Sequence, residues 1–385
     1  MDVQQKAALS EYANALKASP RTISYGLAAL LSLAYVAAFY TGFRMPSLWT
    51  INYYIPGFFD GIFRRGLLGT LLYPLGDLRF SYYLIVGIQF AVLAALNVVI
   101  ITHVFKANIG VRAAYILFLL APTGAYLFHE VGYIDQLLYL MLFLVLVLRN
   151  VVIVSVLLAL SIFVHELAVF TIIPIYMAHK IITREKLTRL ALPAAACAAA
   201  FLMVYFFLQT ADSAVTDAFL QKLTEKAEYK VRVDYYNIHE NTFTGSRAQL
   251  YYQKHLILEF CLVVALGAVI AFARSQPATT IRRKLLLFGA GMAACTSPLL
   301  LGFLGWDTSR WIFLAFCSSF VMLYLWRASL RPPHYAAVGV IMALFLTFGD
   351  LRYFNKYTPR SSDFQSIADF VGGGFLRQIR TRPSQ

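Results

Sequence analysis

Residues 81–105 read SYYLIVGIQFAVLAALNVVIITHVF, a stretch without one Asp, Glu, Lys or Arg. A helix rises about 1.5 Å per residue, so this length reaches across the roughly 30 Å hydrocarbon core of a bilayer. The stretch has company. Apolar runs recur at about 22–42, 111–128, 136–149, 151–164, 167–182, 190–210, 255–273, 284–304, 310–327 and 334–349. The 385 residues are 60% hydrophobic and only 14% charged, where soluble domains carry about a quarter charged residues. The pattern predicts an all-α polytopic membrane protein of about eleven transmembrane helices. The runs 136–149 and 151–164 are short for spans and need flanking residues or a thin bilayer region.

The net charge of +14 is explained by its location rather than by nucleic acid. With the N-terminus in the cytoplasm, the inside loops hold sixteen Lys and Arg against Asp2, Glu11 and Glu185, while sixteen of the nineteen acids fall outside. Positive charge in short cytoplasmic loops is the orientation signal of membrane helices. The alternation of sign survives only if 136–149 and 151–164 are separate traverses. Residues 1–349 are thus expected to form one transmembrane domain with outer loops at 43–80 and 211–254, and 350–385 an outer tail. Short loops point to a bacterial inner membrane with the active face periplasmic. The polar N-terminal stretch before residue 21 lacks a small-residue cleavage site and reads as a cytoplasmic amphipathic segment. Cys197, Cys261, Cys295 and Cys317 lie inside apolar runs without CxxC spacing, which reads as packing.

Once the basic residues are assigned to topology, the outer face keeps a short set of charged groups. The first loop contains GFFDGIFRRGLLGTLLYPLG, an amphipathic segment suited to the membrane interface. If 57–70 is helical, Asp60 and Arg64 lie one turn apart, with Arg65 beside them. Such a set reads either as a carboxylate base next to a phosphate clamp or as an interfacial ion pair. Gly57, Gly61, Gly66 and Gly69 permit close backbone approach. LFHEVGYID supplies His129, Glu130 and Asp135, and SIFVHELAVF supplies His165 and Glu166. Read as ligands, these histidines and carboxylates would take a divalent cation such as Mg or Mn; read as structure, they hydrogen-bond between helices. Neither has the HExxH spacing of a zinc hydrolase. Charge this close to apolar segments marks a functional candidate. GWDTSRW sets Asp307 and Arg310 between Trp306 and Trp311, a mix of rings and charges that suits a sugar or a phosphate.

In its layout the chain resembles the GT-C class of membrane glycosyltransferases. The features that carry the likeness are the span number, the cytoplasmic N-terminus, and an acid-bearing, amphipathic first outer loop. The resemblance implies a polyprenyl-phosphate-linked sugar donor and a glycan or lipid acceptor, with membrane lipids around the protein and no nucleic acid. It implies Asp60 as catalytic base, Glu130 and Asp135 as secondary acids, and Arg64, Arg65 or Arg310 on the donor phosphate. Glu166 is a further catalytic candidate; His129, His165, Trp306 and Asp307 are substrate-binding candidates. A DxD or ExD pair and a large C-terminal outer domain, common in that class, are missing. Three other readings stand beside it: an O-antigen-type polymerase or ligase, a lipid-linked-glycan flippase, and a structural membrane subunit.

Overall fold

The computed structural model describes residues 21–61, 65–129, 131–185, 187–207, 213–229, 231, 254–275, 280–303 and 307–351. Among the described residues the chain is helical, with no strand. We number the helices α1 (Arg21–Gly42), α2 (Leu48–Ile51), α3 (Leu67–Leu72), α4 (Tyr82–Phe105), α5 (Ile109–Leu120), α6 (Pro122–His129), α7 (Ile134–Val147) and α8 (Val151–Val164). There follow α9 (Ile172–Ile182), α10 (Leu187–Leu202, continued by a π turn), α11 (Ser213–Lys226), α12 (Lys254–Ser275), α13 (Ile281–Thr296), α14 (Thr308–Leu325) and α15 (Pro332–Phe348).

Every apolar run of the sequence coincides with a helix. Six helical stretches are long and apolar enough to cross a membrane, and α5 with α6 makes a seventh if the pair, bent by 69°, is one span. The break follows from sequence, because Pro122 donates no N–H to the turn before it. The chain is therefore an integral membrane protein. Helices α7 and α8 have 14 residues each, about 21 Å of helix. Their starts are capped where polar residues allow: Asn108 accepts from the Val111 N–H at 2.9 Å and Asn150 from the Val152 N–H at 2.9 Å, satisfying donors the helix itself leaves open.

Contacts between loops sort the helix ends into two sets. At one end Asp60 meets Lys222, Arg65 meets Glu166, and Asp135 meets Arg310. At the other, Arg274 and Arg283 reach the last turn of α9, and Asn108 bonds Tyr335. We call these the acidic and basic ends. Tyr53 packs on both Tyr133 and His165, so α7 leaves the acidic end and α8 returns to it. They are two antiparallel helices.

Helix α14 forms the centre of the bundle, with 72% of its residues buried against 22% for α1. Tyr139 of α7 donates to the Leu314 carbonyl at 3.0 Å, and Phe316 stacks on Phe345 with ring centres 4.2 Å apart. In lipid the interior is held by such close packing and interhelical hydrogen bonds rather than by water exclusion. Where α1 ends on α6 the packing is backbone to backbone: a Cβ on Gly42 would sit 1.8 Å from the Ala125 carbonyl oxygen. Gly42→Ala is expected to destabilise the bundle by about 1–3 kcal/mol, the usual cost of overpacking. An unchanged thermal midpoint of the purified protein in detergent would refute that contact.

Candidate functional site

The first acidic-end loop is not one helix over 57–70. Phe58–Asp60 forms a 3-10 turn, Gly61 takes a left-handed backbone (φ 77°), and an α-helix begins at Leu67. Arg64, expected one turn along, lies outside the described residues, and Asp60 ends the 3-10 turn. Its carboxylate turns back to accept from the Gly57 N–H at 3.2 Å and is gripped by Arg79, Nη1 to Oδ2 and Nη2 to Oδ1, both at 2.7 Å. Lys222 of α11 adds a donor at 3.5 Å. The Asp60 and Arg79 side chains are 3% and 2% exposed. A carboxylate has about four lone-pair sites, and here four donors occupy them.

The loop closes through glycine, as its composition suggested. A Cβ on Gly69 would lie 2.2 Å from the Pro56 carbonyl, and this approach lets the Phe58 N–H reach Thr70 Oγ1 at 2.7 Å. The loop exposes Phe59, Leu71, Leu75 and Leu78, apolar side chains suited to lipid at the interface. Arg79 lies beneath, its guanidinium over the rings of Tyr73 and Phe80.

Beyond Gly61 the chain turns at Arg65, whose φ of 60° is unusual for a residue with a side chain. Arg65 Nε donates to the two Glu166 oxygens at 3.2 and 3.0 Å, and Nη2 pairs with Oε1. The pair is more open than Asp60–Arg79, at 21% and 18% side-chain exposure. Glu166 sits where α8 ends: His165 is extended, and its Nδ1 accepts the Leu167 N–H at 3.1 Å, starting a 3-10 turn. That bond makes Nδ1 an acceptor and places the neutral ring's proton on Nε2, although Nδ1 is also 3.3 Å from Glu166 Oε2.

Asp135 and Arg310 make a second fork, Nε to Oδ2 and Nη2 to Oδ1, each at 2.7 Å. Both are buried, and the guanidinium lies 4.2 Å over the ring of Tyr133 and 3.9 Å from Asp307. The rings of Tyr133, Tyr53 and His165 stand in sequence, centroids 5.9 and 5.6 Å apart. They join this fork to the Arg65–Glu166 fork. Nearby, burial and then the Asp135 charge push the Tyr54 phenol above its ordinary value, keeping it a neutral donor.

Of the sequence candidates, the structure thus groups Arg65, His165 and Glu166, and separately Asp135, Asp307 and Arg310. His129 is buried at the end of α6 with its ring 5.8 Å from that of Tyr126. Arg64, Glu130 and Trp306 lie outside the described residues, as do the tyrosine-rich part of the 211–254 loop and the tail after 351. No group of three His, Cys, Asp or Glu that could hold a metal ion occurs among the described residues.

Four participants were not singled out from sequence: Arg79, Lys222, Tyr53 and Glu259. Arg79 carried a signal, since an Arg two positions before an apolar run must find water or a partner. Glu259 carried another, an acid within an apolar run. It is fully buried on α12 and accepts the Asp350 N–H at 2.6 Å, holding the chain just past the end of α15.

Below Asp135 a cleft of about 90 Å³ opens between α4, α5, α7 and α14. Asp135, Leu127 and Phe313 border it near the acidic end, and His103, Phe143 and Tyr324 near the basic end. From Phe313 to Tyr324 is roughly 16 Å of helix, half the hydrocarbon core. Its walls are almost wholly apolar.

Comparison with protein-family models, with curated proteins and with solved structures returns no match. The functional reading rests on this geometry.

Proposed function

We propose that this protein is a membrane glycosyltransferase that takes a sugar from a polyprenyl-phosphate-linked donor and transfers it to a glycan or lipid acceptor at the acidic end. The observation that carries the reading is the Asp135–Arg310 fork at the border of an apolar cleft, with the Arg65–Glu166 fork joined to it through the rings of Tyr133, Tyr53 and His165. A lipid-linked sugar has that same division: an apolar chain, then a charged phosphate, then hydroxyls. The chain would lie in the cleft, the phosphate against guanidinium, and the sugar among Tyr53, Tyr54 and Tyr133.

Within this reading Glu166 is the better base. Asp60 is buried and its lone pairs are filled; Glu166 is held by one arginine on a partly open surface. Its orientation is fixed by Arg65, and proton abstraction from an acceptor hydroxyl requires such positioning. Asp60 with Arg79 serves as the clamp that shapes the loop. Arg65 and Arg310 are the phosphate-binding groups, with guanidinium forks matching phosphate oxygens. In this account all eleven apolar helices traverse the bilayer, the short α7, α8 and α9 in a locally thinned region, and the acidic end faces the periplasm of a bacterial inner membrane.

Filling the cleft tests the lipid assignment. Cys317 lines it, and Cys317→Trp is expected to raise KM for a long-chain polyprenyl donor about ten-fold or more. A donor with a truncated chain should be nearly unaffected. An equal change for both donors, or none, would remove the cleft from the account.

A further inference from the structure

The basic end holds a second built feature, independent of the acidic-end reading. In sequence Arg184, Arg274 and Arg283 are topology signals at two separate loops; in the fold they converge. Arg274 Nη2 donates to the Ile182 carbonyl at 3.4 Å, and Arg283 Nη2 to the neighbouring Ile181 carbonyl at 2.9 Å. Arg274 also bonds Ser329. Arg184 follows two residues after Ile182, in a left-handed backbone of φ 62°, with its own N–H returned to the Ile181 carbonyl at 3.3 Å.

The carbonyls at the end of α9 supply partial negative charge, far short of three guanidiniums. None of the three has an acidic partner among the described residues. The nearest acid, Glu185, is taken by Lys180 at 2.8 Å and by Arg189 at 4.0 Å, and the Lys180 hydrogen bond holds its carboxyl below the ordinary range. On α13, Leu286 is exposed one turn after Arg283, and Ile281, Leu285 and Phe288 are exposed on the face turned away from it. Guanidiniums without acidic partners among the described residues thus stand at the end of the bundle, with exposed Leu286 one turn along from Arg283.

We infer that Arg184, Arg274 and Arg283 form a binding site for an anionic phospholipid, the phosphate between the guanidiniums and an acyl chain passing Leu286. Basic pockets between membrane helices bind anionic head groups by this complementarity. Planar guanidinium suits a phosphate better than a point charge does. The lipid would tie α9, α12 and α13 together at the end opposite the forks.

The test adds dioleoyl-phosphatidylglycerol or dioleoyl-phosphatidylcholine to the purified full chain in detergent and counts bound lipid by native mass spectrometry. Phosphatidylglycerol is expected to be retained at least ten-fold better by the wild type. Arg184→Gln with Arg283→Gln should abolish that preference, while Arg189→Gln, outside the trio, should keep it. Because Arg283 also caps a helix, Arg184→Gln alone is the safeguard: it removes an exposed side chain and is expected to weaken retention several-fold. Equal retention of the two lipids by the wild type overturns the site, as does an unchanged preference in Arg184→Gln. Displacement of the lipid by millimolar inorganic phosphate would mean a soluble anion site and overturns the lipid assignment.

Discussion

Glu166→Gln is expected to lower sugar transfer by about 10²- to 10⁴-fold, the range a positioned general base contributes, while the protein still accumulates in the membrane. The amide keeps the shape and one acceptor for Arg65, and the lost ion pair is partly solvated, so the stability cost should stay near 1 kcal/mol. Asp60→Asn is expected to behave in the opposite way. Arg79 would remain buried and without its counter-charge, a loss of about 3–5 kcal/mol, so the variant should fail to accumulate. The amount of protein recovered and its specific activity, measured together, separate the two carboxylates. An Asp60→Asn protein that accumulates fully but has lost activity would return the base role to Asp60, the role the layout resemblance assigns it.

The second large effect concerns the buried fork in the bundle centre. Asp135→Ala leaves Arg310 desolvated beneath the rings of Tyr133 and Trp311, and a loss of about 3–5 kcal/mol follows from breaking a buried pair on one side. Replacing both, as Asp135→Leu with Arg310→Met, removes charge together with its desolvation cost. It should restore most of the thermal stability while leaving transfer abolished, because the phosphate-binding guanidinium is gone. If the double replacement kept full activity, the pair would be structural only. If Asp135→Ala alone were as stable as wild type, the fork would not be the desolvated pair described here.

How much of this was legible in sequence depends on the distance over which each signal acts. The apolar runs are local, and each is a helix in the structure, including α7 and α8, which the alternation of loop charge kept apart. The split of the charges into two faces is an expectation from the same counting, and the structure adds the contacts within each end, such as Asp60–Lys222 and Arg283–Ile181. Partners were legible only where they are near in sequence. The helix expected over 57–70 is broken at Gly61, and Asp60 is gripped by Arg79, nineteen residues on, while Arg64 lies outside the described residues. Arg65 with Glu166 and Asp135 with Arg310 are separated by 101 and 175 residues. Sequence periodicity carries no information at that range. The residue types were visible, their convergence was not. Tyr53 was missed for a related reason: in a chain with 24 tyrosines, nothing local distinguishes the ring that bridges the two forks.

The central claim is that the acidic end handles a lipid-linked sugar. Its most direct test is to reconstitute the purified protein in vesicles with a radiolabelled polyprenyl-phosphate sugar and an acceptor glycan, then follow the label. The account predicts that label passes into a glycosidic product with release of polyprenyl phosphate, at a rate lost in Glu166→Gln. Label that stays on the donor, or crosses the bilayer still attached to it, would contradict the account.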